Sequence, residues 1–230
     1  MRSTVRLIVA LTITCAVSAL ALSVIHGLTE EPIAEQKRLA IMRAVQEVLP
    51  PFDNDPAQEL RTIALEDDET GAQDTLTIYL GTMEGRISGV AFQTFGEGYG
   101  GFINIMMGID LEERISGVII LEHEETPGLG AKIEELSFTN QFKDKSLDNS
   151  TLVNGNLAVK NDGGNLDALT GATISPRGVA QAASAGLKIF SRHRLEITGE
   201  ETIDQTAPAD TTAAPEESQE TEARETTAGE

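Results

Sequence analysis

Residues 7–25 pass without a single charge, and only Thr12, Thr14, Ser18 and Ser23 interrupt the apolar run. At about 1.5 Å per residue, a helix of that length reaches roughly across the hydrocarbon core of a bilayer. Arg2 and Arg6 precede the run, and Glu30 and Glu31 follow it. The positive flank belongs on the cytoplasmic side, so the rest of the chain is expected outside. A cleaved signal peptide would share the basic start and apolar core. The one cleavage-like pattern, Ala16-Val17-Ser18, lies inside the run, which is also longer than a usual signal core. Thr12-Ile13-Thr14 before Cys15 is not the sequence of a lipoprotein site. An uncleaved single-pass anchor is the expectation.

Charge narrows the function classes. The 230 residues carry 37 acidic and 17 basic side chains, a net charge of -20. A nucleic-acid partner needs a basic face, so no nucleic acid is expected. With one cysteine there is no intrachain disulfide, and His26, His123 and His193 are too scattered for a zinc site.

Beyond the span, Leu39, Met42, Val45 and Leu49 recur at helical spacing. A helix is expected there after a break at Pro32, stopped by Pro50-Pro51. From Leu60 the period changes to that of strands: 60–65, 75–80, 86–95, 102–109 and 114–121, joined by polar or glycine-rich turns. Arg-Ile-Ser-Gly-Val occurs at 86–90 and again at 114–118, as one hairpin solution used twice in a sheet. Residues 131–136 form a short helix, and Asn154-Gly155 marks a small hairpin. A last helix is expected from Pro176 to about Leu195, its apolar stripe covering one face of the sheet. The fold class is therefore α+β, a single domain with a mainly antiparallel sheet and packed helices, preceded by one transmembrane helix. The divisions are a cytoplasmic N-terminus (1–6), the span (7–26), a stalk or packing helix with linker (27–59), the extracytoplasmic domain (60–197) and an acidic tail (198–230). The tail has ten acidic residues, and Ile203 is its only large apolar residue, so it cannot bury a core.

Three stretches stand out in the domain. Gly96, Gly98 and Gly101 meet a Gly-x-Gly-x-x-Gly spacing, but a strand follows rather than a helix, which rules out a dinucleotide fingerprint. After the fifth strand comes His123-Glu-Glu-Thr-Pro-Gly-Leu-Gly130, where Pro127-Gly128 specifies a tight turn. His123 has no second ligand at metal spacing and reads as a loop-ordering residue. Residues 167–176 read Asp-Ala-Leu-Thr-Gly-Ala-Thr-Ile-Ser-Pro. Gly171 permits a left-handed turn. Ser175 reads as a helix N-cap with Pro176 at the first helical position. Thr173 then lies in the bend before a helix N-terminus, where free N–H groups and the helix dipole favour a phosphate. Nothing in that physics requires a covalent bond.

Residues 167–173 resemble the flavinylation motif, Asp-x-x-(Ser/Thr)-Gly-Ala-Thr, of the FMN-binding domain family. That domain occurs in the G subunit of the Rnf electron transport complex and in the C subunit of the sodium-pumping NADH:quinone oxidoreductase. Gly98-Tyr-Gly-Gly-Phe-Ile103 and Glu125-Thr-Pro-Gly-Leu-Gly130 are similar to two further segments of the family. The resemblance implies FMN held by a phosphoester to Thr173, installed by a flavin transferase. It also implies that Thr126, Leu129 and Gly130, with Glu125, lie beside the flavin. Asp167 and Thr170 would shape the acceptor loop or help the transferase recognise it, and Gly171 and Ala172 would keep the approach to Thr173 open. The implied function is a membrane-anchored electron-carrier subunit of an Rnf-type complex, which couples electron transfer between ferredoxin and NAD to ion translocation. Its partners would be the other membrane, iron–sulfur or flavin subunits. The C subunit of the sodium pump, or a stand-alone anchored flavoprotein, are the alternatives.

Overall fold

The computed structural model describes residues 2–66 and 73–199. The expected loop between the first two strands and the acidic tail from residue 200 lie outside the described residues.

Five strands follow one another as an antiparallel meander: β1 (Leu60–Glu66), β2 (Gln73–Met83), β3 (Arg86–Glu97), β4 (Phe102–Asp110) and β5 (Ile115–Glu122), in spatial order β1-β2-β3-β4-β5. The alternation of β3 and β4 is visible in their register. Phe92 opposite Met107 and Val90 opposite Ile109 bury side chains on one face, while Ala91 and Met106 are buried on the other. A sheet apolar on both faces needs two covers. α3 (Ile174–Thr198) supplies one, packing Val179, Ala182, Ala183, Leu187 and Phe190 into the main core. Between β5 and α3 the chain makes a 3-10 turn (Gly130–Glu134), a four-residue α2 (Leu136–Thr139) and the small hairpin β6 (Leu152–Val153) and β7 (Asn156–Leu157), as Asn154-Gly155 predicts. Phe138 and Phe142 meet edge to face, with ring centroids 5.5 Å apart.

The second cover is the end of the N-terminal helix. α1 runs from Arg2 to Val48 without interruption, through Pro32, where the sequence predicts a break. Proline lacks one N–H and disturbs one turn, and the neighbouring turns of this 47-residue helix carry it through. Its Ala44, Val45 and Val48, with Leu49 just beyond, pack on Ala91 and Met106. The sheet gives way to the helix at small residues. A Cβ on Gly108 would stand 2.0 Å from the Val48 carbonyl oxygen, and one on Gly117 would stand 3.1 Å from Val48 Cα. Ser116 Oγ donates to that same carbonyl at 2.5 Å. The repeated Arg-Ile-Ser-Gly-Val thus enters β3 and β5 with its glycine under the chain at Pro50 and Val48.

The direction of α1 matters for the site. Val48 lies over Gly108 and Gly117, whereas Lys37, eleven residues earlier, reaches Glu122 at the end of β5 at 3.3 Å. Ile41 packs against Leu121 between them. Followed backwards, α1 therefore climbs toward the sheet end that carries the Gly98–Gly101 turn and the loop after β5. Its residues 2–40 are exposed, and a window of mean hydropathy 2.5 within it is long and apolar enough to cross a membrane.

Candidate functional site

At that same sheet end, three segments form a cleft of about 390 Å³. They are the turn between β3 and β4, which contributes Tyr99, the loop after β5, which contributes Glu125, Thr126, Leu129 and Gly130, and the entry to α3, residues 171–175. The volume falls within the range of small-molecule sites, about 300–1,000 Å³.

The entry to α3 is built from a tight turn. Ala172 N–H donates to the Leu169 carbonyl at 3.2 Å, and Gly171, third of the four turn residues, has φ +79°. A positive φ at that place is the signature of a type II turn and suits glycine. Thr170, second in the turn, is exposed and lies outside the cleft lining. The next residue to carry a hydroxyl, Thr173, lines the cleft.

Thr173, not Ser175, is the N-cap of α3, and its side chain makes no capping hydrogen bond. The predicted cap fails because the Ser175 hydroxyl is committed elsewhere: it is buried and donates to Glu125 Oε2 at 2.6 Å. Pro176 becomes the third helical residue, which is tolerated because first-turn N–H groups lack intrahelical acceptors anyway. The first intrahelical bond runs from Arg177 N–H to the Thr173 carbonyl. The N–H groups of Ile174 and Ser175 are thus the donors left over at a 25-residue helix N-terminus, beside a hydroxyl with no capping duty. Among the described residues no lysine or arginine lines the cleft. An anion there would rest on backbone donors and the helix dipole.

Glu125 forms the wall between the segments. Its Oε1 accepts from Tyr99 N–H at 2.7 Å and Gly100 N–H at 3.2 Å, and its backbone N–H donates to His123 Nδ1 at 3.0 Å. His123 therefore orders the loop; its Nε2 stands 3.0 Å from Glu134 Oε1, off the line of a directed hydrogen bond. Among the described residues no group of histidine, cysteine and carboxylate side chains could hold a metal ion. The rest of the lining is apolar and open: Tyr99, Leu129 and Ile174 are all exposed, a set of faces suited to a flat aromatic ligand.

Of the residues predicted from sequence, Thr173, Gly171, Ala172, Glu125, Thr126, Leu129 and Gly130 meet in this cleft, while Asp167 and Thr170 do not. Asp167 tethers the loop from outside, through Lys160 Nζ at 2.6 Å and through Gln141, which accepts its backbone N–H at 2.6 Å. Arg177 makes a two-pronged bond to Asp162 at 2.6 and 2.5 Å, and that hydrogen-bonded guanidinium holds the Asp162 carboxyl below its usual range. Tyr99, Ile174 and Ser175 line the cleft without being among the site residues predicted from sequence, and Ile174 is the one to which sequence reasoning gives no role at all. Its only signal is an apolar residue between the motif and a helix start. A larger cleft, about 540 Å³, opens where β2 and β3 part beyond the Ile78–Phe92 pair, and it contains no motif residue.

Comparison with known proteins identifies the family. Residues 98–188 match the family model described as FMN-binding domain. The chain is 37% identical over 185 residues to the G subunit of the ion-translocating oxidoreductase complex of Cereibacter sphaeroides, covering 79% of this chain and 81% of that one. It is 33% identical over 187 residues to the G subunit of the same complex from Aliivibrio fischeri, covering 79% and 88%. Among solved structures, NqrC of Shewanella oneidensis shares the fold at a TM-score of 0.54 and 18% identity, over 72% of this chain and 100% of that one. The C subunit of the Na(+)-translocating NADH-quinone reductase from Parabacteroides distasonis does so at 0.50, also at 18% identity, over 72% and 94%. The chain thus belongs to the family of ion-translocating oxidoreductase complex G subunits, with an FMN-binding domain behind a single membrane-spanning helix.

Proposed function

We propose that this protein is the anchored flavin-carrying subunit of an Rnf-type ion-translocating complex, and that FMN is esterified to the hydroxyl of Thr173. The observation that carries the reading is the N-cap of α3: a cleft-lining hydroxyl without a capping bond, next to the free N–H groups of Ile174 and Ser175. Thr170 has neither the donors nor the cleft. Attachment joins Thr173 Oγ1 to the flavin phosphorus. The hydroxyl proton is lost to base, the phosphoanhydride P–O bond of a flavin dinucleotide breaks, and a nucleoside monophosphate leaves, in a transfer carried out by a flavin transferase. The bound flavin supplies the redox chemistry. The chain's own part is to hold and shield it: Leu129, Ile174 and Tyr99 offer apolar contact, Thr126 a hydrogen bond, and the helix N-terminus a seat for the phosphate.

The partners are the other redox subunits of the complex, within or at the inner membrane. The cleft stands at the end of the sheet toward which α1 climbs, so it faces the membrane that holds them. By the charge asymmetry about residues 7–25 the domain is extracytoplasmic.

The test is expression with a flavin transferase and export, followed by peptide mass spectrometry. Thr173→Ala is expected to lose covalent flavin while the domain still folds, Thr173→Ser to keep part of it, and Thr170→Ala to retain the acceptor. An FMN-phosphoryl mass on Thr170, or covalent flavin retained in Thr173→Ala, overturns the assignment.

A further inference from the structure

Glu125 is 6% exposed, and among the described residues no cation pairs with it. A buried carboxylate without a counter-charge is costly unless hydrogen bonds replace its water. Here three donors do so, and they come from two other segments of the fold: Tyr99 N–H and Gly100 N–H in the turn between β3 and β4, and Ser175 Oγ in the first turn of α3. All three donate, so both carboxylate oxygens act as acceptors, the pattern an ionised group satisfies. The surroundings are cut to fit. A Cβ on Gly98 would stand 2.2 Å from Oε1, and one on Gly130 would stand 2.4 Å from Oε2.

Resting on the flavin reading of the cleft, we propose that Glu125 is a positioning residue rather than a flavin ligand. Its carboxylate ties the glycine turn and the α3 entry to its own loop before any flavin arrives, and it places a fixed negative charge on the cleft wall. By taking the Ser175 hydroxyl it leaves the capping place to Thr173 and keeps the first-turn N–H groups directed at the cleft. Its charge opposes the extra negative charge of a reduced flavin, so it lowers the flavin's potential.

The experiment uses the full chain, both flavin-free and flavin-loaded. In flavin-free protein, hydrogen exchange at Tyr99 and Gly100 is expected to quicken by about tenfold or more in Glu125→Ala, since a hydrogen bond to a charged group is lost. Glu125→Gln keeps one acceptor oxygen for those N–H groups and should restore their protection. Glu124→Gln, an exposed neighbour, should leave exchange unchanged. If Glu125→Ala does not fold, Ser175→Ala removes a single arm: exchange should quicken in the first turn of α3, with Tyr99 and Gly100 still protected. In loaded protein, Glu125→Gln should show a more positive midpoint potential than the parent, which a purely structural contact would not produce. Parental exchange in Glu125→Ala, or equal potentials in Glu125→Gln and the parent, overturns the proposal. A parent chain that takes up no flavin defeats the flavin reading instead, and the exchange data on flavin-free protein still judge Glu125.

Discussion

Single residues decide how closely the parts of this protein approach one another. Gly108 is the clearest case outside the cleft: the atoms nearest its missing Cβ are the Val48 carbonyl oxygen, at 2.0 Å, and Ser116 Oγ, at 2.5 Å. The first is backbone and cannot swing aside as a flexible side chain would. Gly108→Ala is therefore expected to push the last turn of α1 off the sheet, at a cost of about 1–3 kcal/mol, the usual range for overpacking. Thermal melting together with hydrogen exchange in residues 44–49 checks this. The cleft lies at the far end of the strand, so on the proposed reading covalent flavin content should stay at the parental level. A variant that melts like the parent, with its last turn still protected, would show that the helix does not depend on this contact.

Among the elements, α3 links core and cleft. Its buried stripe is fixed by packing, while its first turn is held laterally by Arg177 on Asp162. The hydrogen bond from Arg177 depresses the Asp162 carboxyl below its ordinary value. A depressed carboxyl contributes stability that is present above its unfolded pKa and is lost as pH falls through the folded value. The melting temperature of the parent should therefore exceed that of Asp162→Asn at neutral pH, and the gap should close in acid. Both groups are exposed, so the gap will be small. A gap that persists or widens on acidification would assign the stabilisation to something other than this ion pair. At its other end α3 stops at Gly199, whose φ of +72° and N–H bond to the Leu195 carbonyl at 2.8 Å close the helix in the left-handed manner.

At the scale of the whole molecule, orientation is set by the two covers of the sheet. α3 and α1 pack on opposite faces, and the N-terminal direction of α1 leads past the cleft end of the sheet. From Lys37, level with Glu122, to Ile25 is twelve residues, or about 18 Å of helix. The cleft thus lies at the end of the sheet nearer the apolar part of α1, with exposed Tyr99, Leu129 and Ile174 in its lining. A spin label at Gly128, beside the cleft, should lie measurably nearer the lipid surface than one at Gly85, in the turn at the opposite end of the sheet. Equal depths, or the reverse order, would mean that the helix does not hold the domain in this attitude in a membrane.

The meander, the anchor and the turn before α3 were legible because each depends on short-range pattern. Alternation shows a strand within a few residues, an uncharged run shows a span, and a glycine between two threonines shows a turn. The helix end at Gly199 was written just as locally, yet the apolar stripe suggested a stop near Leu195. Other features belonged to partners distant in sequence. Ser175 is a good N-cap by local propensity, but a carboxylate fifty residues away takes its hydroxyl and moves the cap to Thr173. Pro32 is a helix breaker by local rule, and α1 nevertheless runs through it. The glycines of the two Arg-Ile-Ser-Gly-Val segments stand inside predicted strands, and only the docked end of α1 shows that they are the room it needs. The sequence by itself determined the strands, the span and the turn before α3, since those rest on interactions within one or two turns of chain. The tertiary structure decided which hydroxyl is left free, what walls the cleft and at which end of the sheet it lies, because buried hydrogen bonds and steric room are shared between segments that no local pattern connects.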